Sequence, residues 1–406
     1  MVEWKEYTVA DVISTVIDYR GKTPKKLGGD WSDSGYRALS AKNIKTGKIV
    51  QVDSIRYVSE EMYKCWMKEE VQKEDILITS EAPFGQIYYW DSDEKIVLSQ
   101  RLFAVRVNQL FYPKYIYFYM TSSFFQAELD GRTTGTTVVG LRQPELLKCK
   151  IYAPNYQEQK RIADTLWCLE QKINNNEAIN NNLLEQLNQL YTEFSTRSDW
   201  SEMTIGDVAV KVAMGPFGSN IKVSTFVEYG VPIISGNHLR GYFLEEPSYN
   251  YITEEHAEKL KNSIVYPKDI IFTHAGNIGQ VAMIPDGCEF PYYVLSQRQF
   301  YLRCNTELVV PEYVLLFFHS KKGQHELLSY ANQTGVPSIA QPATNLKKIR
   351  LPIPSLDEQK DWLSVVTPLI TMYQNNYQET KRLASLRDTL LPKLMSGGID
   401  VSNLEL

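Results

Sequence analysis

Cysteine is scarce in this chain of 406 residues: Cys65, Cys149, Cys168, Cys288 and Cys304 make an odd number, and no two stand at C-x-x-C spacing. That disfavours both a structural zinc and a disulfide framework. No apolar run approaches the roughly 18 residues that a membrane-crossing helix needs. The opening Met1-Val2-Glu3-Trp4-Lys5 also lacks the basic, apolar, small-residue order of a signal peptide. A cytoplasmic protein with no membrane contact is expected. Enzyme motifs are missing too. There is no G-x-x-x-x-G-K-[ST] loop to cradle a nucleotide, and no Pro-Pro dipeptide at all, so no N-P-P-[FY] grip on a flipped base. Pro285-Asp286 with Glu289 has the acidic character of a nuclease metal site, but no lysine follows within a few residues and the pattern is discounted. All five histidines (His238, His256, His274, His319, His325) lie in the second half. No catalytic residue, no metal ligand and no bound cofactor are expected.

Bulk positive charge is lacking as well: 43 Lys and Arg against 48 Asp and Glu give a net charge of −5. This argues against a protein that coats DNA by its overall charge, while leaving room for local basic patches. With 43% hydrophobic and 22% charged residues the composition is that of a globular protein. The length suggests two or three domains.

What the chain does contain is itself, twice. Trp4 with Thr8-Val9-Ala10-Asp11-Val12 matches Trp200 with Thr204-Ile205-Gly206-Asp207-Val208, and Val58-Ser59-Glu60-Glu61 matches Ile252-Thr253-Glu254-Glu255. In the same order, Asp75-Ile76-Leu77-Ile78-Thr79 matches Asp269-Ile270-Ile271-Phe272-Thr273, and Gly85-Gln86-Ile87 matches Gly279-Gln280-Val281. Leu98-Ser99-Gln100-Arg101 then matches Leu295-Ser296-Gln297-Arg298, Thr134-Gly135 matches Thr334-Gly335, and Glu158-Gln159-Lys160 matches Glu358-Gln359-Lys360. The offset drifts only from 194 to 200, so one architectural unit is used twice. Each copy starts with about 150 residues of short apolar segments broken by Gly, Pro, Asn and Ser, which read as a mixed α/β domain.

Each copy ends in a helical segment. Ile162, Leu166, Leu169, Ile173, Leu183, Leu187, Leu190 and Phe194 follow a heptad seam, with Asn176 and Asn180 filling its gap in phase. The second copy carries Trp362, Val366, Leu369, Tyr373, Asn376, Leu383, Leu386, Leu390 and Leu394 on a less regular stripe. Pro368 is expected to kink or divide that helix. Arg387 stands where the first copy has Leu187. Gly397-Gly398 punctuates the end. Two long amphipathic helices in one chain should bury their seams against each other, although core helices of the two domains would show a similar stripe.

The pattern resembles the specificity subunits of type I restriction-modification systems over essentially the whole chain. The resemblance is carried by Trp4 and Thr8–Val12 with Arg20-Gly21-Lys22-Thr23-Pro24, and by the counterpart leading to Gly215-Pro216-Phe217-Gly218-Ser219. It is also carried by the junctions Ile151-Tyr152-Ala153-Pro154 with Gln157–Ala163 and Leu351–Lys360, and by the tail Leu390–Gly397. It implies an α+β fold of two tandem mixed α/β target-recognition domains, each followed by a long helix. The helices would pair as an antiparallel coiled coil with pseudo-two-fold symmetry. The expected layout is recognition domain 1 over 1–155, spacer helix 1 over 156–197, recognition domain 2 over 198–355, spacer helix 2 over 356–396 and a tail over 397–406. Each domain would read one half of a split site on double-stranded DNA, and the helices would dock two modification (methyltransferase) subunits and, indirectly, restriction subunits. S-adenosylmethionine, ATP and Mg would belong to those partners.

For DNA contacts the first copy offers eight Lys and Arg between Arg20 and Lys48 against Asp30 and Asp33. Lys22, Thr23, Lys25, Lys26, Arg37, Lys42, Asn43 and Lys45 are the candidates there, with Trp31 and Tyr36 interleaved. A solvated loop explains any one of them equally well. The second copy has Ser219, Asn220, Lys222, Asn237, His238 and Arg240 instead, and different residues at equivalent places suit different half-sites. The shared pairs Gln100-Arg101 and Gln297-Arg298 favour phosphate contact or scaffolding over base reading. The loops at Thr134-Gly135-Thr136 and Thr334-Gly335 offer amides and hydroxyls to phosphate, with a plain turn as the competing reading. Two other functions stay open: a protein-only tandem adaptor, and a DNA methyltransferase with degenerate motifs.

Overall fold

A computed structural model of the chain describes residues 3–133, 140–196, 200–218, 220–246, 248–332, 335–399 and 401. Two compact units make up the chain: Met1–Glu177 with Tyr377–Leu406, and Ala178–Asn376. Each unit therefore takes part of both long helices.

The centre of the first unit is an antiparallel sheet in the order Ile13–Asp18, Leu102–Val107, Ile76–Thr79, Ile87–Tyr89. The second unit repeats it with Ala209–Met214, Gln299–Cys304, Ile270–Thr273 and Val281–Met283. The unbroken apolar runs in these strands follow from burial on both faces. Ile76 and Ile78 join a core with the helix Pro113–Thr121 and the first long helix, whereas Leu77 faces a core shared with Trp66, Trp90 and Leu98. In the same way Ile270 and Phe272 point to one core and Ile271 to another. Around the sheet lie a smaller mixed sheet (Arg56–Val58, Tyr36–Leu39 and Ile96–Leu98 in the first unit) and a two-stranded ribbon of Lys5–Thr8 with Lys150–Ala153.

The repeated polar residues have structural duties. Asp75, fully buried, accepts two hydrogen bonds of 2.9 Å from Arg106 on the neighbouring strand. Asp269 does the same with Arg303 at 2.8 and 2.6 Å. At the domain-to-helix junction Gln159 accepts from the Tyr112 amide and donates to the Pro154 carbonyl, both at 2.9 Å. Gln359 accepts from Val310 at 2.8 Å and donates to Pro354 at 2.9 Å and Leu308 at 3.0 Å. These buried glutamines pin each long helix to the loop ahead of its domain's helix pair.

Both long helices, Tyr156–Ser195 and Leu356–Met395, run for 40 residues. Pro368 does not divide the second, contrary to expectation. Its own side is exposed, while Val366 and Ile370 on either side of it are held in the core. Packing outweighs the one backbone hydrogen bond that an interior proline removes. The helices pair antiparallel. In the first unit Glu170 meets Arg387, and Lys172 and Asn176 both reach Glu379. In the second, Asn180 donates to the Tyr373 carbonyl at 3.1 Å and accepts from Asn376 at 3.0 Å.

Ile162, Leu166, Ile173, Asn176, Asn180, Leu183, Leu187, Val366 and Tyr373 are buried, and Leu169, Leu190, Leu369, Leu383 and Leu390 are half-buried. Leu386 is a correction: it is 46% exposed, because the stripe passes through its neighbour Arg387. The second helix ends on Gly397 at φ +71°, with Gly397 donating to Leu394 and Gly398 to Lys393. This is the paired-bond helix stop that favours glycine in the left-handed region. A Cβ on Gly397 would lie 2.8 Å from Trp4 Nε1, so the repeated tryptophan also demands glycine here.

Candidate nucleic-acid interface

At one end of each central sheet the chain makes a set of tight turns, joined by backbone hydrogen bonds. In the first unit the Ser99 amide donates to Leu39 (2.7 Å), Ala41 to Gln100 (3.1 Å), Ser80 to Arg101 (2.8 Å) and Leu141 to Ser80 (3.0 Å). In the second unit Ser296 donates to Ile234 (2.8 Å), His274 to Arg298 (2.9 Å) and Ile339 to His274 (2.8 Å). The same lattice thus presents Gln100-Arg101 in one unit and Gln297-Arg298 in the other.

In the first unit this lattice borders a recess of about 290 Å³ lined by Trp31, Lys42, Arg56, Gln100 and Arg101. Arg56 lies over the Trp31 ring at 5.1 Å. A second hollow continues past Arg101 to Glu81, Arg20 and Gln143, and a third reaches Arg142. The surface is concave, rich in guanidinium and amide donors, and edged by an aromatic ring. Those are the parts that phosphate and base-edge contacts use.

The basic cluster of the first copy divides once its partners are known. Lys22 donates to the Trp66 carbonyl at 3.0 Å and sits over the Tyr19 ring, so it staples the loop. Arg37 is paired with both oxygens of Glu94, which also holds its charge more firmly. Lys26 donates to Gly21 at 2.7 Å, and Lys48 pairs with Glu177. Thr23 accepts from the Lys26 amide at 3.3 Å, a turn contact. Lys25, Lys42 and Lys45 are left exposed.

Asn43 is a further correction. It is 1% exposed; its Oδ1 accepts from Ser40 and its Nδ2 donates to Gln51 and Ser54 at 3.2 Å. His238 occupies the equivalent turn in the second unit, accepting from the Ser235 amide at 2.9 Å, bonded to the Ser248 carbonyl at 2.9 Å and stacked on Tyr249. Both are scaffold, since every polar atom that could face a base is turned inward.

Elsewhere in the second unit, Lys222, Asn237, Arg240 and Arg298 are exposed, and the Asn220 carbonyl accepts from His256 at 2.8 Å. Gln297 is half-buried and donates to Ile221 at 2.9 Å. Gly335, at φ +83°, is exposed between the short strands Ala331–Asn332 and Ser338–Ile339. Thr134, Gly135, Thr136, Ser219 and Thr334 lie outside the described residues.

Glu81, Arg56 and Arg142 were missed in the sequence, as were the highly exposed rings of Phe217 and Tyr229. A signal for Glu81 was present: it follows the shared strand Ile76–Thr79 at the point where the second copy has Ala275. Asp286 is paired with Lys268 at 2.7 Å, and among the described residues no His, Cys, Asp and Glu cluster has metal-binding geometry. Among those residues no helix is long and apolar enough to cross a membrane.

Comparison with known proteins agrees with this layout. The type I restriction modification DNA specificity domain matches twice, over residues 1–186 and 197–384. The type I restriction enzyme MjaIX specificity subunit of Methanocaldococcus jannaschii is 23% identical over 363 residues, covering 82% of this chain and 79% of that protein. The type I restriction enzyme EcoBI specificity subunit of Escherichia coli is 20% identical over 366 residues, covering 80% and 74%. The crystal structure of the type I restriction-modification S subunit from M. genitalium superposes with a TM-score of 0.60 at 16% identity, covering 97% of this chain and 96% of that one. With two specificity domains in tandem and a family match spanning nearly its whole length, the chain belongs to the specificity subunits of type I restriction-modification systems.

Proposed function

We propose that the chain is the non-catalytic DNA-reading subunit of such a system, acting in the cytoplasm, in which each unit reads one half of a bipartite site on double-stranded DNA. The observation that carries this reading is the pair of matching turn lattices with different side chains on them. Arg101, Lys42, Arg56 and Trp31 furnish one, and Arg298, Asn237 and Arg240 the other. A shared scaffold with exchanged surface groups is what two different half-sites require. The two 40-residue helices, each roughly 60 Å long at about 1.5 Å per residue, act as the ruler for the unread spacer and as the docking surface for two modification subunits. Those partners supply S-adenosylmethionine for adenine methylation, and restriction subunits, recruited through them, supply ATP- and Mg-dependent cleavage.

The test is to map methyladenine in cells with and without this gene. A two-part motif should vanish on deletion. Inserting one heptad into both helices should lengthen the spacer by at most about 3 base pairs, from roughly 10.5 Å of added helix against 3.4 Å per pair. An unchanged spacer rejects the ruler, and methylation by the purified chain alone rejects the non-catalytic assignment.

A further inference from the structure

The two turn lattices differ at one charge. In the first unit Glu81 carries a carboxylate into the basic surface and holds Arg101, with Nε to Oε2 at 3.2 Å. Both side chains stay accessible, Arg101 at 51% and Glu81 at 37%. In the second unit Ala275 takes the place of Glu81, and Arg298 lies with a guanidinium nitrogen 3.4 Å from where a Cβ on Gly276 would be. Among the described residues no carboxylate lies within ion-pair distance of Arg298. The backbone differs as well: Arg101 is held at φ +61°, a conformation that non-glycine residues rarely adopt, and no such angle occurs at Arg298.

A carboxylate exposed on a phosphate-facing surface works against binding unless it meets a donor. In the major groove the donors are the exocyclic amino groups, and a glutamate is the acceptor suited to cytosine N4, while an arginine matches guanine O6 and N7. Side by side, the two groups complement both halves of one base pair. The strained backbone fits this use, because such angles persist where the surroundings enforce a required side-chain direction.

Resting on the DNA-reading function proposed above, we infer that Glu81 and Arg101 together read one G·C pair of the first half-site, Arg101 on guanine and Glu81 on cytosine, and that Glu81 is its specificity-determining residue. Arg298, with no acidic companion among the described residues, contacts guanine or phosphate alone.

The experiment places Glu81→Ala, Glu81→Gln and Ala275→Glu in the intact gene, beside its partner subunits, and maps methyladenine motifs. Glu81→Ala should relax one G·C position of the first half-site, lowering discrimination there roughly tenfold to a hundredfold, with the second half-site unchanged. Ala275→Glu should alter the second half-site alone. Should Glu81→Ala abolish methylation through misfolding, the near-isosteric Glu81→Gln decides, relaxing the same position. A wild-type motif in both Glu81 variants overturns the inference and leaves the bipartite reading intact. So does relaxation at an A·T position or in the wrong half-site. Absence of any two-part motif in the wild type would instead sink the underlying function.

Discussion

Gln159 and Gln359 belong to the most visible repeated motif, Glu-Gln-Lys, yet the pattern does not say which of its three residues matters. The structure separates them. The glutamate serves the helix start: the Ser355 side chain and amide bond Glu358 at 2.8 and 3.0 Å, and Asn155 accepts from the Glu158 amide. The lysine points outward. The glutamine is fully committed, so Gln359→Ala strands the buried Val310 amide and two carbonyls. A loss of about 1–3 kcal/mol per unsatisfied group is expected, read as a lower urea midpoint, with DNA contacts untouched. The same residue-level logic separates candidate contacts from scaffold. Asn43 and His238 have the right chemistry for a base but sit in corresponding inward-facing turns, whereas Lys42 and Asn237 beside them are exposed.

Across the helix pair, position Leu187 of the first copy became Arg387 in the second, an apparent flaw in the seam. Its partner explains it. Arg387 donates to Glu170 at 2.8 Å, and Glu170 is nearly buried; the equivalents of these two in the second unit, Leu187 and Ile370, share one apolar core. Two symmetric positions thus hold an ion pair at one site and an apolar pair at the other. Replacing Arg387 with Leu alone leaves a buried carboxylate uncompensated and should cost about 3 kcal/mol, the low end for such pairs because the arginine keeps some water. Arg387→Leu with Glu170→Ile, copying the other unit, should restore or exceed wild-type stability. Thermal unfolding of the single and double variants checks this, and a double variant no better than the single would contradict it. Pro368 teaches the same lesson at the level of an element: a local helix breaker is overruled where packing on both sides holds the helix.

For the molecule as a whole, the uneven distribution of histidine predicts uneven acid stability. His319 Nε2 donates to the Val281 carbonyl at 2.9 Å, the ring lies against Tyr242 at 3.6 Å between ring centroids, and its pKa is pushed down to about 4 by burial. His274 is lowered as well, again by burial. An unfolded chain binds protons on these rings from about pH 6.5 downward while the fold does not, so stability of the second unit falls as pH drops from about 6.5 toward 4. The first unit, which has Thr121 at the place of His319 and no histidine at all, lacks this term. Amide exchange at pH 7 and pH 5 should show the strands Ile270–Thr273 and Val281–Met283 losing protection ahead of Ile76–Thr79 and Ile87–Tyr89. His319→Thr should reduce the difference. Equal loss in both units would count against the argument.

The duplication, the two long helices and the lack of catalytic motifs were legible in the amino-acid order alone, because repeat offsets and heptads are local, periodic signals that survive without knowledge of contacts. Which polar groups remain free to meet DNA was decided only by the tertiary structure. Lys22 is taken by Trp66, Arg37 by Glu94, Asn43 by Gln51 and Ser54, and Arg387 by a glutamate 217 residues away. A side chain's availability depends on what the fold brings beside it, and neither charge nor spacing along the chain encodes that neighbour.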